Sequence, residues 1–229
     1  MELAEGTMGF YFEKPAGFEF RAGQFSEWTL IDPPETDAEG NIRTFTIASA
    51  PVEEDLMIAT RMRDTAFKRV LKGASTGTEV ELDGPFGAMV LHDDRERPAV
   101  FLTGGIGITP FRSIALQAMH EKKSHPIYLF YSNRRPEDAA FLSELVALEK
   151  QNPRFKLIAT MTNVVKSAKA WNGETGYIDS AMLSKCLPDL NAPIYYTAGP
   201  PPMVAAMRKM LSSAGIHAQN IRSEDFMGY

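Results

Sequence analysis

The sequence predicts a β plus α/β molecule. An antiparallel Greek-key β-barrel occupies residues 1–97, and an α/β unit built on a parallel sheet occupies residues 98–229. Three observations carry this reading. In the first part, short apolar stretches alternate with polar residues and are broken by turn formers, as with Phe10, Phe12, Phe18 and Phe20 around Lys14-Pro15-Ala16-Gly17. In the second part, runs such as Ile127-Tyr128-Leu129-Phe130-Tyr131 are apolar throughout and alternate with helix-spaced segments, the pattern of strands buried on both faces. Between the two lies His92-Asp93-Asp94-Arg95-Glu96-Arg97-Pro98, a charged, proline-terminated linker in which His92 is expected at the surface.

Taken in order, the first part offers strands over 26–31, 44–48 and 56–62, a helix over 65–72 with Phe67, Val70 and Leu71 as its apolar side, and a strand around Val80 and Leu82. Gly84-Pro85-Phe86-Gly87 reads as a rigid corner. Arg43-Thr44-Phe45-Thr46 is expected to project a cation, a ring and a hydroxyl from one strand face, which suits a planar heterocycle carrying a diphosphate; a solvated edge strand explains the same letters. Small residues opening the helix at Asp64-Thr65-Ala66-Phe67-Lys68 leave N–H groups for a phosphate, with Lys68 adding charge, or are capped by Asp64 or Thr65.

The second part is organised around residues 100–111, where the strand Val100-Phe101-Leu102-Thr103 runs into Gly104-Gly105-Ile106-Gly107 and reopens as a helix. Thr109 is placed as N-cap and Pro110 at the first helical position, with Phe111, Ile114, Ala115 and Ala118 facing the core. The glycines serve either a ligand's phosphate or tight packing. A helix is expected from Pro136-Glu137-Asp138 through Phe141, Leu145 and Leu148, a strand over 155–161, a loop around Trp171-Asn172-Gly173, and a helix from Asp179. A strand over 194–197 then meets the turn Ala198-Gly199-Pro200-Pro201-Pro202-Met203, and Met203, Met207, Met210 and Leu211 form the core stripe of a last helix ending near Gly215. At the end of the second parallel strand, Ser132-Asn133-Arg134-Arg135 offers arginine and no acid where a dinucleotide fold meets the adenosine ribose. This favours NADPH over NADH, unless the arginines pair with Glu137 and Asp138.

Composition narrows the function classes. A formal charge of −5, with scattered basic residues, argues against nucleic-acid binding. The single cysteine, Cys186, excludes an internal disulfide and a cysteine-ligated cluster within these residues; it is expected to be a partly buried core residue, and no metal site is expected. No run reaches membrane-spanning length and the amino terminus has no signal-like pattern, so a soluble cytoplasmic protein is the expectation.

In this order, Arg43-Thr44-Phe45-Thr46, Ala66-Phe67-Lys68, Gly84-Pro85-Phe86-Gly87, the Gly104 to Pro110 turn, Tyr131-Ser132-Asn133-Arg134, Gly199-Pro200-Pro201 and a terminal Tyr229 make the whole chain resemble the ferredoxin:NADP reductase family. The likeness is to its compact FAD-dependent members without a fused iron–sulfur domain. The resemblance implies an FAD domain over 1–97 and an NAD(P) domain over 98–229 that ends in a flavin-stacking tail. It implies that Arg43 binds the FAD diphosphate with the backbone of Ala66, Phe67 and Lys68. Phe45 packs beside the flavin, Thr44 is a further cofactor-binding residue, Thr46 hydrogen-bonds near N5, and Thr60 and Arg61 line the ribityl and adenine side. Gly104, Gly105, Gly107, Thr109 and Pro110 would hold the nicotinamide nucleotide's phosphates; Ser132, Asn133 and Arg134 its adenosine; Gly199, Pro200, Pro201 and Met203 its nicotinamide end. Tyr229 would stack on the isoalloxazine, and Thr46, Tyr229 and Glu224 would serve the hydride step, with Glu224 or Asp225 as a proton relay.

The implied activity is hydride transfer from NADPH, or NADH, to FAD. Electrons then pass to a redox carrier such as ferredoxin or flavodoxin, or to a small-molecule acceptor, with the protein a monomer or weak dimer off the membrane. A non-catalytic redox-sensing module and a reductase subunit of a larger enzyme are the alternatives. The chain departs from the family pattern at Phe45, where many relatives have tyrosine, at Ala198 in place of cysteine, and at Lys68 in place of serine.

Overall fold

The computed structural model describes residues 1–226; residues 227–229, which include Tyr229, lie outside the described residues. The first half supplies β1 (Glu2–Ala4), β2 (Thr7–Glu13), β3 (Phe25–Leu30), β4 (Ile42–Thr46), β5 (Asp55–Arg61), α1 (Ala66–Gly73) and β6 (Val80–Phe86). The second supplies β7 (Ala99–Gly104), α2 (Thr109–His120), β8 (Ile127–Asn133), α3 (Leu142–Gln151), β9 (Phe155–Met161), β10 (Glu174–Thr175), α4 (Ser180–Cys186), β11 (Ile194–Gly199), α5 (Pro201–Ser213) and β12 (Ile221–Asp225).

The antiparallel strands form two three-stranded sheets, β1-β2-β5 and β4-β3-β6. They close over Trp28, Leu30, Ile47, Leu56, Ile58, Phe67 and Leu71, with Phe12 tilted on Trp28 at 4.4 Å. The parallel sheet runs β10-β9-β8-β7-β11-β12. Its central strands are apolar on both sides because α2 and α3 cover one face and α4 and α5 the other; the two clusters of buried side chains follow this division. No helix among the described residues is long and apolar enough to cross a membrane.

Several expectations are corrected. Phe18 and Phe20 pack against the barrel core but lie outside any strand, since the chain turns at Gly17 and bends again at Gly23. Residues 84–86 lie within β6, and the corner expected there takes the form of an irregularity at which the pairing with β3 shifts register between Asp83 and Phe86. The segment after Pro136 is a short 3-10 turn, Pro136–Asp138, and α3 starts only after Phe141, whose left-handed backbone (φ 61) breaks the helix. Thr109 is the first residue of α2 and not its cap: a 3-10 turn over Gly105–Ile108 precedes it, Ile108 is the capping position, and the Thr109 hydroxyl donates to the Ile106 carbonyl at 3.1 Å. His92 is buried, because both ring nitrogens find partners: Nδ1 lies 2.8 Å from the Tyr196 hydroxyl and Nε2 3.1 Å from the Arg97 carbonyl. Burial holds its pKa below the usual value. Cys186 is partly buried beside Leu183 and Leu187, as expected.

The halves meet along α2. Arg112, 5 % exposed, donates to the Ala48 carbonyl at 2.8 Å and is paired with Glu53 at 2.9 Å, while its other edge holds Glu144 of α3 at 2.7 Å. Ser113 Oγ donates to the Ser49 carbonyl at 2.7 Å, and the Val52 amide to Gln117 at 3.0 Å. The core is correspondingly shared: Ala48, Met57 and Ala59 belong to the same apolar cluster as Phe101 and Phe111. Replacing Arg112 by Ala should therefore cost about 3 kcal/mol, the scale for removing one partner of a buried pair. Urea unfolding measures it, and an unchanged midpoint would show that the cluster contributes nothing.

Candidate functional site

A cleft of about 570 Å³ opens where β4, β5 and the start of α1 face the 3-10 turn and the end of β12. Its barrel wall carries Arg43, Thr44, Phe45 and Thr46, with Thr60 and Arg61 on β5 and Lys68 on α1. The sheet wall carries Ile106, Thr109, Glu224, Asp225 and Phe226. The cleft thus runs across the junction that Arg112 fixes.

The pleat of β4 corrects the expectation that the cation, the ring and the hydroxyl share a face. Side chains alternate along a strand, so Arg43 and Phe45 go together and Thr44 and Thr46 go the other way. Phe67 props the first pair: its ring is 5.2 Å from the Arg43 guanidinium carbon and 5.8 Å from the Phe45 ring. Thr46 is buried at the strand's end, paired with Phe25 of β3.

At the start of α1 the capping reading is what the backbone does. The Thr65 hydroxyl accepts the Lys68 amide at 3.4 Å, Asp64 binds Arg69 instead, and Asp37 accepts the Ala66 amide at 2.7 Å. Phe67 lies in the core, so of Ala66, Phe67 and Lys68 it is the Lys68 side chain that lines the cleft, while the Ala66 amide meets Asp37, which also approaches Arg43 at 3.7 Å. The Lys68 ammonium donates to the Arg61 carbonyl at 2.7 Å, and burial, followed by the charges of Arg63 and Arg43, brings its pKa down to about 8. Four cationic side chains, Arg43, Arg61, Arg63 and Lys68, thus gather on one wall, which fits a diphosphate and leaves a neutral ring to Thr46 and Phe45.

On the sheet wall the glycines divide by role. A Cβ on Gly107 would lie 2.3 Å from the Ala198 carbonyl oxygen, so Gly107 is there for the contact with β11. Gly105, in contrast, takes a left-handed φ of 54° and a Cβ there would meet nothing within 4 Å, leaving its backbone open to approach. Gly104 and Gly199 both press on Met203, whose Sδ and Cε would lie 2.9 Å from added Cβ atoms, so the ends of β7 and β11 converge beneath that side chain. Pro200 caps α5, Pro201 begins it, and Pro110 sits in the first turn of α2.

At the end of β8, Ser132 is half-buried and Asn133 is buried with its Nδ2 unpartnered among the described residues. Arg135 is fully engaged, with Asp138 at 2.7 Å and Glu5 at 2.8 Å, and Glu137 instead accepts Ser167 and the amides of Ala168 and Lys169. Arg134 is exposed and makes no ion pair among the described residues. Tyr229 lies outside them.

The strand β12 was not expected from the sequence, and it positions Glu224. Parallel pairing sets Glu224 opposite Ala198 and Asp225 opposite Gly199, and the Phe226 amide donates to the Gly199 carbonyl at 2.9 Å. Burial alone raises the Glu224 pKa from 4.5 to about 7. A carboxyl raised on folding favours the native state while protonated, so its contribution is complete below pH 4.5 and drains away up to about pH 7. Glu224→Gln removes that drain. Wild-type stability should fall relative to the variant across this window and run parallel above it, in urea unfolding at stepped pH; parallel curves throughout would mean a solvated, ionised Glu224.

The comparisons agree with this architecture. Residues 101–209 match the family model described as the oxidoreductase NAD-binding domain. The glycine betaine monooxygenase reductase subunit of Chromohalobacter salexigens is 29% identical over 223 residues, covering 96% of this chain; the chain spans 60% of that relative's length. Among solved structures, a ferredoxin NADP+ reductase from Neisseria gonorrhoeae with bound FAD and NADP superposes with a TM-score of 0.77 at 22% identity, covering 96% of this chain and 92% of that one. The flavohem-like FAD/NAD binding domain of nitric oxide dioxygenase from Vibrio cholerae O1 biovar El Tor gives 0.84 at 20%, covering 98% and 94%. A barrel followed by a six-stranded parallel sheet, with an oxidoreductase NAD-binding match over residues 101–209, gives this chain the fold of these FAD- and NAD(P)-binding structures over nearly its whole length.

Proposed function

We propose that the chain is an NAD(P)H-dependent flavoprotein reductase that passes electrons to an acceptor on another polypeptide. In this reading residues 1–97 hold FAD and residues 98–229 hold the nicotinamide nucleotide. The supporting observation is the cationic barrel wall, with Arg43 propped on Phe67, lining one cleft together with Ile106 and Thr109 of the nucleotide-domain turn and Glu224 of β12. Bound FAD would supply the exchange between a two-electron hydride donor and one-electron delivery.

The chain's own residues bind and orient. Arg43 and Lys68 neutralise the diphosphate, with Arg61 beside them, and Thr46, buried at the cleft floor, donates a hydrogen bond to the flavin ring. Phe45 and Phe226, which line the cleft, would help exclude water from the ring. Glu224, protonated over much of the acid range, is placed to hold a proton at its carboxyl beside the cleft. Of the two arginines after β8, Arg134 takes a 2′-phosphate, because Arg135 is already committed to Asp138 and Glu5.

The reductase-subunit reading shares this chemistry and is favoured by the oxygenase reductase among the relatives. With one cysteine, these residues cannot ligate an iron–sulfur cluster through cysteine, so a ferredoxin-like centre, a flavodoxin or an oxygenase component elsewhere receives the electrons.

The purified protein with FAD should show flavin absorbance that bleaches anaerobically with NADPH, and more slowly with NADH; a colourless protein that stays colourless in excess FAD would refute the reading. Arg134→Ala should lower kcat/KM for NADPH by about tenfold or more and leave NADH within about twofold. Equal losses would mean that Arg134 does not read the 2′-phosphate.

A further inference from the structure

Residues 32–40 connect β3 to β4 as a loop closed at its base. The Leu30 amide donates to the Asn41 carbonyl at 3.0 Å and Asn41 Nδ2 returns a bond to the Leu30 carbonyl at 2.8 Å. The chain leaves β3 through Asp32 (φ 41) and re-enters β4 through Gly40 (φ 73), with Pro33-Pro34 stiffening the outgoing arm. The loop's far end folds back on Arg43 at the cleft and on the start of α1, where its acids meet specific donors. Glu39 Oε2 lies 2.8 Å from Arg43 Nη2, Asp37 Oδ1 is 3.7 Å from the same nitrogen, and Asp37 Oδ2 accepts the Ala66 amide at 2.7 Å. Glu35 ties the middle of the loop to Arg69 of α1 at 2.6 Å. The Ala66 hydrogen bond, first, keeps Asp37 below the usual carboxylate range, so it is charged at neutral pH.

A guanidinium edge and the first amide of a helix are donors that suit a phosphate, and here two carboxylates hold both. We propose that residues 32–40 are an acidic strap that takes the diphosphate's place in the cofactor-free chain and is displaced when a dinucleotide enters. The inference rests on the reading that Arg43 and the start of α1 bind the FAD diphosphate. Carboxylates and a diphosphate repel, so they cannot both hold the same Arg43 nitrogen and Ala66 amide. The strap keeps the cationic wall ordered and neutralised before loading. Its presence also lowers the apparent affinity by the fraction of molecules in which it is open.

The test titrates flavin-free protein with FAD, following fluorescence quenching, and measures hydrogen exchange of residues 32–40 with and without FAD. Asp37→Asn/Glu39→Gln should bind FAD about tenfold more tightly than the unsubstituted chain. In the unsubstituted chain, amides of the strap should exchange faster once FAD is bound. Equal or weaker FAD binding by the double variant, or exchange that FAD leaves unchanged or slows, overturns the strap. Arg43→Ala separates this from the underlying reading: if it weakens FAD binding while the double variant changes nothing, the diphosphate site stands and the strap falls. If Arg43→Ala leaves FAD affinity unchanged, the diphosphate site falls and the strap with it.

Discussion

Everything the cleft does depends on how α2 is held. Arg112 reaches from the middle of that helix to the Ala48 carbonyl and Glu53 on the barrel side and to Glu144 on α3. A guanidinium serves this purpose better than an ammonium, because its planar fork bonds two carboxylates and a carbonyl along separate edges. The same helix opens directly from the 3-10 turn after Gly104, so fixing α2 on the barrel also fixes Ile106 and Thr109 opposite Thr46 and Arg43. The separation of the two walls is therefore set by α2, the kind of preorganisation that a two-sided site requires.

The electrostatics of the cleft follow from an uneven division of charge. The chain as a whole carries −5, yet one wall gathers Arg43, Arg61, Arg63 and Lys68. Concentrating cations in a partly dry cleft is costly unless anions answer them, and the depressed pKa of Lys68 records that cost. Across the cleft Glu224 is displaced in the opposite sense, toward its neutral form, by burial alone. A diphosphate beside the cations, with an uncharged ring on the same wall reaching toward Glu224, would match this polarity.

Legibility in the sequence tracked how far each residue's partners were local. The parallel sheet was readable because β7 and the first five residues of β8 are largely buried and apolar, while Gly104-Gly105 and Pro136 mark their exits. Arg43 to Thr46 and Lys68 were recognisable as parts of one site and do line one cleft, although the pleat separates side chains that were expected together. What stayed hidden was set by distant partners. Strand β12 is half polar, Ile221-Arg222-Ser223-Glu224-Asp225, and exists because β11 offers it a free edge. His92 looks like a linker residue until Tyr196, 104 positions away, supplies its hydroxyl. The reach of Asp37 to Ala66 and of Arg112 to Glu53 spans 29 and 59 positions, and no periodicity announces either. Gly107 was read as either packing or ligand approach, and only the position of the Ala198 carbonyl decides for packing.

The central claim is that one cleft, held open by α2, seats FAD on the barrel wall with its reactive edge toward the sheet wall. A crystal structure of the protein grown with FAD tests it most directly. The account predicts diphosphate density bonded to Arg43, with the ring beside Thr46 and facing the turn at Gly105. Diphosphate density away from Arg43, or a ring turned away from that turn, would contradict it.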